Sequence, residues 1–245
     1  VLHPRAVELA RNYGVTLKVK SSWTDEPGTT LTSRSKRSQN RIGLELGRPV
    51  DGLELVDKQA VLGLSHIPDK PGVAADLFEK LSNQGVNVDL IIQATHEGNS
   101  NDITFTVDES ELENARKICE NVLQKIGGDL VSQSEMTKLS ISGAGIMGRP
   151  GIAATLFDTL SRKGINLRLI ATSEVKVSCV INSSLGAKGL RAVSEAFELD
   201  ENQVKINPEV QGLGEPEVRG VALDQAQAQV SVRGVPDKPG TAAAL

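Results

Sequence analysis

The 245-residue chain is 39% hydrophobic and 24% charged, and aromatic residues make up only 2% of it, so its core must be aliphatic. The formal net charge of -4 argues against a nucleic-acid partner, because phosphate binding needs a clustered basic surface. No apolar run approaches the ~18 residues that a membrane-spanning helix needs, and no signal peptide is recognised, so we expect a cytoplasmic protein.

The first 31 residues contain elements that nothing later in the chain repeats. His3–Arg11 has the pattern of a helix, Leu17–Lys20 that of a strand, and Glu26–Thr29 that of a turn. Residues 32–49 begin with a stretch rich in Ser, Arg and Lys, which is typical of a solvated linker.

Internal repeats dominate the remainder of the chain. Pro71–Asn87 recurs without a gap as Pro150–Asn166, 79 positions later. Val50–Leu77 recurs as Val218–Leu245, 168 positions later. The longer offset indicates that the modules are organised in pairs, and the third copy stops inside its first helix, so we expect a piece of a longer protein. The predicted division is a first module at 50–135, a second at 136–217 and the start of a third at 218–245.

Each module has the same predicted order of elements, β-α-β-β-α-β. In the first module these are a strand at Val61–Leu64, a helix from Pro71 to Gly85, a strand at Val86–Gln93, a turn at His96–Asn101, a strand at Asp102–Val107, a helix at Leu112–Ile126 and a strand at Asp129–Ser134. This is the split βαβ, ferredoxin-like topology, an α+β fold in which helices cover one face of an antiparallel sheet.

One loop matches a dinucleotide-binding motif but lacks the context. Gly143–Gly148 reads GxGxxG between a strand and a helix. The equivalent loops of modules one and three are not glycine-rich, and Arg168 stands where an acidic residue would contact the ribose. A dinucleotide site is therefore disfavoured.

The loop and first helical turn at Asp69–Ala74 are a better candidate for binding a small molecule. Free N–H groups at a helix N-terminus could hold the carboxylate of an amino acid while Asp69 faces its ammonium group. The alternative is that Asp69 merely caps the helix. Neither the three histidines nor Cys119 and Cys179 have partners at metal-ligand spacing, and we interpret the cysteines as buried, reduced thiols. The sequence contains no recognisable catalytic set.

Several segments resemble one family. Val1–Ala10, Ser21–Trp23 and Glu26–Thr29 resemble the C-terminal end of the catalytic domain of an aspartate kinase, an α/β amino-acid kinase domain. Val86–Gln93, Asp102–Thr106 and Ala171–Val175 resemble that enzyme's first and second ACT modules, which are ferredoxin-like regulatory units. The third copy is similar to the four-module arrangement of cyanobacterial-type enzymes.

The resemblance implies a function for the whole enzyme. It would phosphorylate L-aspartate to 4-phospho-L-aspartate with ATP and Mg in a catalytic domain upstream, so no cofactor is expected in this segment. Lysine, threonine or both would bind between ACT modules as feedback inhibitors, and the modules would form a homodimer. Bound effector would favour one packing of the modules and act on the kinase through the linker.

The resemblance also implies the residues that contact the effector. They are Asp69, Gly72, Ala74 and Gln93 in the first module and Ile152, Ala153, Asn166, Leu167, Ser173 and Glu174 in the second. Because Met147–Arg149 replace the surroundings of Asp69, the second module is not expected to repeat the first module's site. One rival hypothesis is an array that dimerises the kinase without binding an effector. Another is a fusion to homoserine dehydrogenase, against which the third ACT copy argues.

Overall fold

The computed structural model describes residues 6–7, 10, 15–32, 49–96, 100–143, 146, 149–173, 175–208, 228, 230, 232 and 234–244. Most of the helix predicted at His3–Arg11, residues 33–48 of the linker and the candidate effector residue Glu174 lie outside these ranges.

The elements follow the predicted order closely. In the chain they are β1 (Leu17–Val19), β2 (Thr29–Leu31), β3 (Gly52–Pro68), α1 (Val73–Asn83), β4 (Val88–His96), β5 (Ser100–Asp108), α2 (Leu112–Ile126), β6 (Asp129–Ser142), α3 (Ile152–Arg162), β7 (Leu169–Thr172), β8 (Lys176–Asn182), α4 (Gly186–Ala196), β9 (Val204–Ile206) and α5 (Thr241–Ala244). Short 3-10 turns lie at Glu109–Glu111, Ser183–Leu185 and Glu201–Gln203.

Two sheets result from these strands. Strands β1 and β2 form a small antiparallel pair of their own. The other seven strands form one sheet in the order β4-β5-β3-β6-β8-β7, with β9 parallel to β3. Its β4-β5-β3-β6 part is the ferredoxin-like arrangement of module one, which confirms the α+β prediction.

Two long strands join the modules, which the repeat alignment did not predict. Strand β6 runs without interruption through the predicted boundary at residue 136. Gly52–Val56, assigned to the first module, pairs instead with Lys138–Ser142 of the second. In a ferredoxin-like second module, β9 as the last strand would pair directly with β6. Here the Gly52–Val56 segment of β3 lies between them, and β9 pairs with the other side of that segment.

Irregularities in both strands let each half face its own core. Lys58 and Glu135 have φ angles of 54° and 56°, and the pairing register shifts near both residues. In a regular strand, residues five positions apart, such as Leu55 and Ala60, lie on opposite faces of the sheet. Because of the irregularities, both lie on the helix-covered face, Leu55 in the core of module two and Ala60 in that of module one.

Each module has an aliphatic core between its sheet and its two helices. In module one Phe78 of α1 meets Phe105 of β5 edge-on, with ring centroids 5.6 Å apart. In module two Leu53 lies among residues of α3, α4 and β8. Burying each such Leu contributes roughly 1.5–3 kcal/mol.

The sheet faces that are turned away from the helices also meet. A third cluster joins Val61 and Leu90 of module one to Met136, Leu169 and Val180 of module two. The two edges of the sheet, β4 and β7, are in contact, so the sheet curls on itself. An ion pair between Asp89 of β4 and Lys138 of β6 also joins the two halves of the curled sheet. No helix among the described residues is long and apolar enough to cross a membrane.

The shared strand makes a prediction about where a core substitution acts. Leu53→Ala should destabilise the fold by about 2–5 kcal/mol, since it leaves a cavity in a fully buried site. Hydrogen exchange should show loosening in α3 and α4 of the second module. Leu62→Ala, equally buried, is the matched control and should loosen α1 and α2. Loosening of α1 and α2 by Leu53→Ala would contradict the topology.

The two cysteines are free and buried. Burial disfavours the thiolate and raises the pKa of Cys119 and of Cys179 to about 12. We expect both thiols to resist iodoacetamide at pH 8 in the folded chain and to react once guanidinium chloride unfolds it. Rapid labelling of either thiol at a guanidinium concentration that leaves the circular dichroism unchanged would contradict this burial.

Candidate functional site

The first helix of each module begins after a glycine in the left-handed region. Gly72, Gly151 and Gly240 have φ angles of 94°, 95° and 95°. Other residues rarely adopt this conformation, which accounts for the glycine at this position in all three copies. Neither α1 nor α3 has a side-chain cap, so the alternative that Asp69 caps its helix is wrong.

The predicted effector residues of module one lie on one side of its sheet. Asp69 accepts a hydrogen bond of 2.7 Å from the Nδ2 of Asn101, and Gly72 and Ala74 begin the neighbouring helix. Gln93 is exposed on edge strand β4, opposite Ile103 and thus on the face that α1 covers. Asn101 is itself only 4% exposed, and its Oδ1 has no hydrogen-bond partner among the described residues.

The described residues of the second module's predicted set are spread over three places. Ile152 and Ala153 form the first turn of α3, and Ser173 is in the β7–β8 turn, where its N–H donates to the carbonyl of Lys176 at 2.8 Å. Asn166 and Leu167 lie in the loop before β7.

That loop borders a cleft of about 300 Å³ between the second module and the start of the third. The cleft is lined by Phe157, Ile165, Asn166, Leu167, Ile170, Val235, Pro236, Asp237, Lys238, Gly240, Thr241, Ala242 and Ala243. It contains two of the predicted effector residues of module two and none of those of module one.

Its other wall repeats the module-one set. The 168-residue offset relates Asp237 to Asp69, Gly240 to Gly72 and Ala242 to Ala74. These third-module residues are absent from the predicted effector set, although the 168-residue repeat in the sequence already relates them to it. One wall of the cleft therefore contains effector residues predicted for module two. The other wall contains the third-module residues that correspond to the effector residues predicted for module one.

Asp237 links the two walls. Its Oδ1 accepts a hydrogen bond of 2.6 Å from the Nδ2 of Asn166, and its Oδ2 one of 2.7 Å from the guanidinium of Arg168. Gly240 lies so close to α3 that a Cβ atom there would be 2.8 Å from the Oγ of Ser161. The third module is therefore docked on the second through this site.

The residues of the cleft suit a small zwitterion. Asp237 offers a carboxylate to an ammonium group, and Lys238 offers an ammonium to a carboxylate. Phe157, Leu167 and Ile170 supply apolar walls for a side chain. No group of three or more His, Cys, Asp or Glu side chains within the described part of the chain could hold a metal ion.

Gly143, the first residue of the glycine-rich motif, has a packing role, whereas residues 144, 145, 147 and 148 of the motif lie outside the described ranges. A Cβ atom on Gly143 would lie 2.3 Å from the carbonyl oxygen of Pro49. Glycine is therefore required there by the chain that enters β3, without any nucleotide.

Comparison with known proteins identifies the modules. The family model described as ACT domain matches residues 61–123, and a second ACT domain model matches 139–197. The chain is 39% identical to an aspartokinase of Thermus thermophilus over 202 residues, which are 82% of this chain and 48% of that protein. It is 35% identical to an aspartate kinase of Pseudomonas fluorescens over 201 residues, 82% of this chain and 47% of that protein. The chain thus spans about half the length of these curated relatives.

Solved structures agree. The crystal structure of aspartate kinase from Synechocystis matches with a TM-score of 0.83 and 46% identity, over 100% of this chain and 42% of that one. The ligand-free regulatory subunit of aspartate kinase from Thermus thermophilus matches with a TM-score of 0.57 and 37% identity, over 61% of this chain and 99% of that one.

The contact of Gly240 with Ser161 can be tested with a pair of alanine substitutions. Gly240→Ala and Gly72→Ala impose the same left-handed strain, but only the first adds a clash, since nothing lies within 4 Å of a Cβ atom at Gly72. We expect Gly240→Ala alone to speed hydrogen exchange in residues 235–244. Unchanged exchange there would show that the third module does not dock on α3.

Proposed function

This chain belongs to the aspartate kinase family as part of its ACT regulatory region, and we propose that it binds a feedback-inhibiting amino acid, lysine or threonine, in the cleft between its second and third modules. The observation that carries the proposal is the composition of the cleft. Asn166 and Leu167 of module two meet Asp237, Gly240 and Ala242, the third-module counterparts of the remaining predicted half-site.

Charge and shape support an α-amino acid as the ligand. The ammonium group would bind the carboxylate of Asp237, and the carboxylate would bind Lys238. The side chain would pack on the apolar wall of Phe157 and Leu167. A volume of about 300 Å³ has room for either threonine or lysine, so the cleft does not decide between them.

The same residues explain how binding could regulate. An effector held by both walls favours the docked arrangement of the modules, and a ligand shifts an equilibrium only through its different affinities for the two states. We infer that the shift reaches the catalytic domain through residues 32–49. The whole protein would be a cytoplasmic aspartate kinase that phosphorylates L-aspartate with ATP and Mg bound in that domain.

A second function, dimerisation through the sheet edge, is favoured by strand β4. Among the described strands β4 pairs only with β5, and Ile91 is 52% exposed on it. The unpaired N–H and C=O groups of such an edge can pair with a strand of another chain. Homodimerisation at β4 is compatible with effector binding, and sedimentation with and without the amino acid separates the two roles.

Calorimetric titration of the chain with L-lysine and with L-threonine tests the proposal. We expect at least one of them to bind in the millimolar range or tighter. Asp237→Asn should weaken binding about tenfold or more, because a hydrogen bond to a charged group contributes roughly 1.5–3 kcal/mol.

Asp158→Asn is the matched control. Asp158 is an exposed carboxylate on α3 that pairs with Arg162 at 2.9 Å and does not line the cleft. Its substitution removes the same charge and should leave the affinity unchanged. Absence of heat with both amino acids, or equal weakening by the two substitutions, would overturn the proposal.

A further inference from the structure

Asp237 lies between two cavities. The cleft already described lies on one side. On the other is a second cavity of about 330 Å³, set against the face of the module-one sheet that is turned away from its helices. It is lined by residues of β3, β5, β6 and β7, including Asp102, and by Arg168 and Asp237.

Asp237 lines both cavities. Asn166, which holds Oδ1, lines the first cavity, and Arg168, which holds Oδ2, lines the second. The side chains of Arg168 and Asp237 are 40% and 66% exposed, so water reaches the ion pair.

We propose that Arg168 is an internal substitute for the ammonium group of the effector: it occupies Asp237 while the cleft is empty, and the bound amino acid displaces it. The inference rests on the proposed function. It goes further in assigning to Arg168 a role opposite to that of its neighbours, since Arg168 competes with the ligand that Asn166 and Asp237 bind.

The energetics allow such an exchange. A solvent-exposed ion pair contributes roughly 0–1 kcal/mol, so Arg168 can be displaced by a ligand that makes additional contacts. The ligand's ammonium would then neutralise Asp237 in its place. The apparent affinity is the intrinsic affinity multiplied by the fraction of molecules in which Arg168 does not occupy Asp237. Arg168 therefore raises the effector concentration at which half of the sites are filled.

The released guanidinium has an alternative partner. Asp102 of β5 lines the same second cavity. Its Oδ1 accepts from the N–H of His66 at 3.0 Å and its Oδ2 bonds to the Nε2 of His96 at 2.8 Å, but a carboxylate can accept more than two hydrogen bonds. Movement of Arg168 from Asp237 towards Asp102 would carry the signal of a bound effector to module one.

The sign of the effect makes the test decisive. We expect Arg168→Gln to bind the amino acid more tightly than the wild type, by roughly two- to fivefold, which corresponds to the range of an exposed ion pair. Arg168→Lys keeps the cation and should remain close to the wild type. Arg162→Gln is the charge-matched control, because Arg162 pairs with Asp158 in the same helix and lines neither cavity, and it should change nothing.

Calorimetry of the 245-residue chain with L-threonine and L-lysine measures these affinities, and circular dichroism shows that each variant is folded. The Nα-acetylated amino acids, which lack the ammonium group, should fail to bind any variant. Binding by Arg168→Gln that is equal to or weaker than that of the wild type, with the wild type binding well, overturns the role of Arg168 and leaves the proposed function intact. Absence of binding in both the wild type and Arg168→Gln overturns the two together.

Discussion

The pairing of β3 with β6 is the constraint on which the rest of the structure depends. Both strands run through two modules, so the two modules share one sheet and cannot separate without breaking its hydrogen bonds. Leu53, at the start of β3, and Leu64, near its end, belong to different cores and are joined by one strand. The irregularities at Lys58 and Glu135 make this possible, because each changes the alternation of side chains so that both halves of the strand bury the helix-covered face of the sheet.

The same pairing determines where the cleft at Asp237 forms. The fused sheet curls until β4 and β7 touch, which places the loop before β7 beside the open face of module one. Asn166 and Arg168, in that loop, are held at the junction of all three modules, and Asp237 of the third module bonds to both. Because the Asp237 carboxylate of module three bonds to side chains of module two, a change in the packing of these modules would change its hydrogen bonds. The module-one copy of the same residues makes a different contact, since Asp69 bonds to Asn101 within its own module.

Periodicity and repetition predicted much of this fold, and the misses have physical causes. The strand and helix order of the first two modules is confirmed because apolar spacing indicates which face of an element is buried. The sharing of β3 and β6 was missed, since a strand that changes cores has the same local pattern as one that does not. Asn166 and Leu167 were named from family resemblance, whereas Asp237 was overlooked even though it stands 168 positions after Asp69. The partnership of Arg168 with Asp237 could not be predicted, because it depends on how separate modules dock, which no local pattern encodes.

A structure with bound amino acid tests the central claim most directly. Crystals of the chain grown with saturating L-threonine or L-lysine should show the ligand between modules two and three, with its ammonium group within hydrogen-bonding distance of the Asp237 carboxylate and its carboxylate towards Lys238. The same ligand found at the start of α1 in module one, with the cleft at Asp237 empty, would contradict the account.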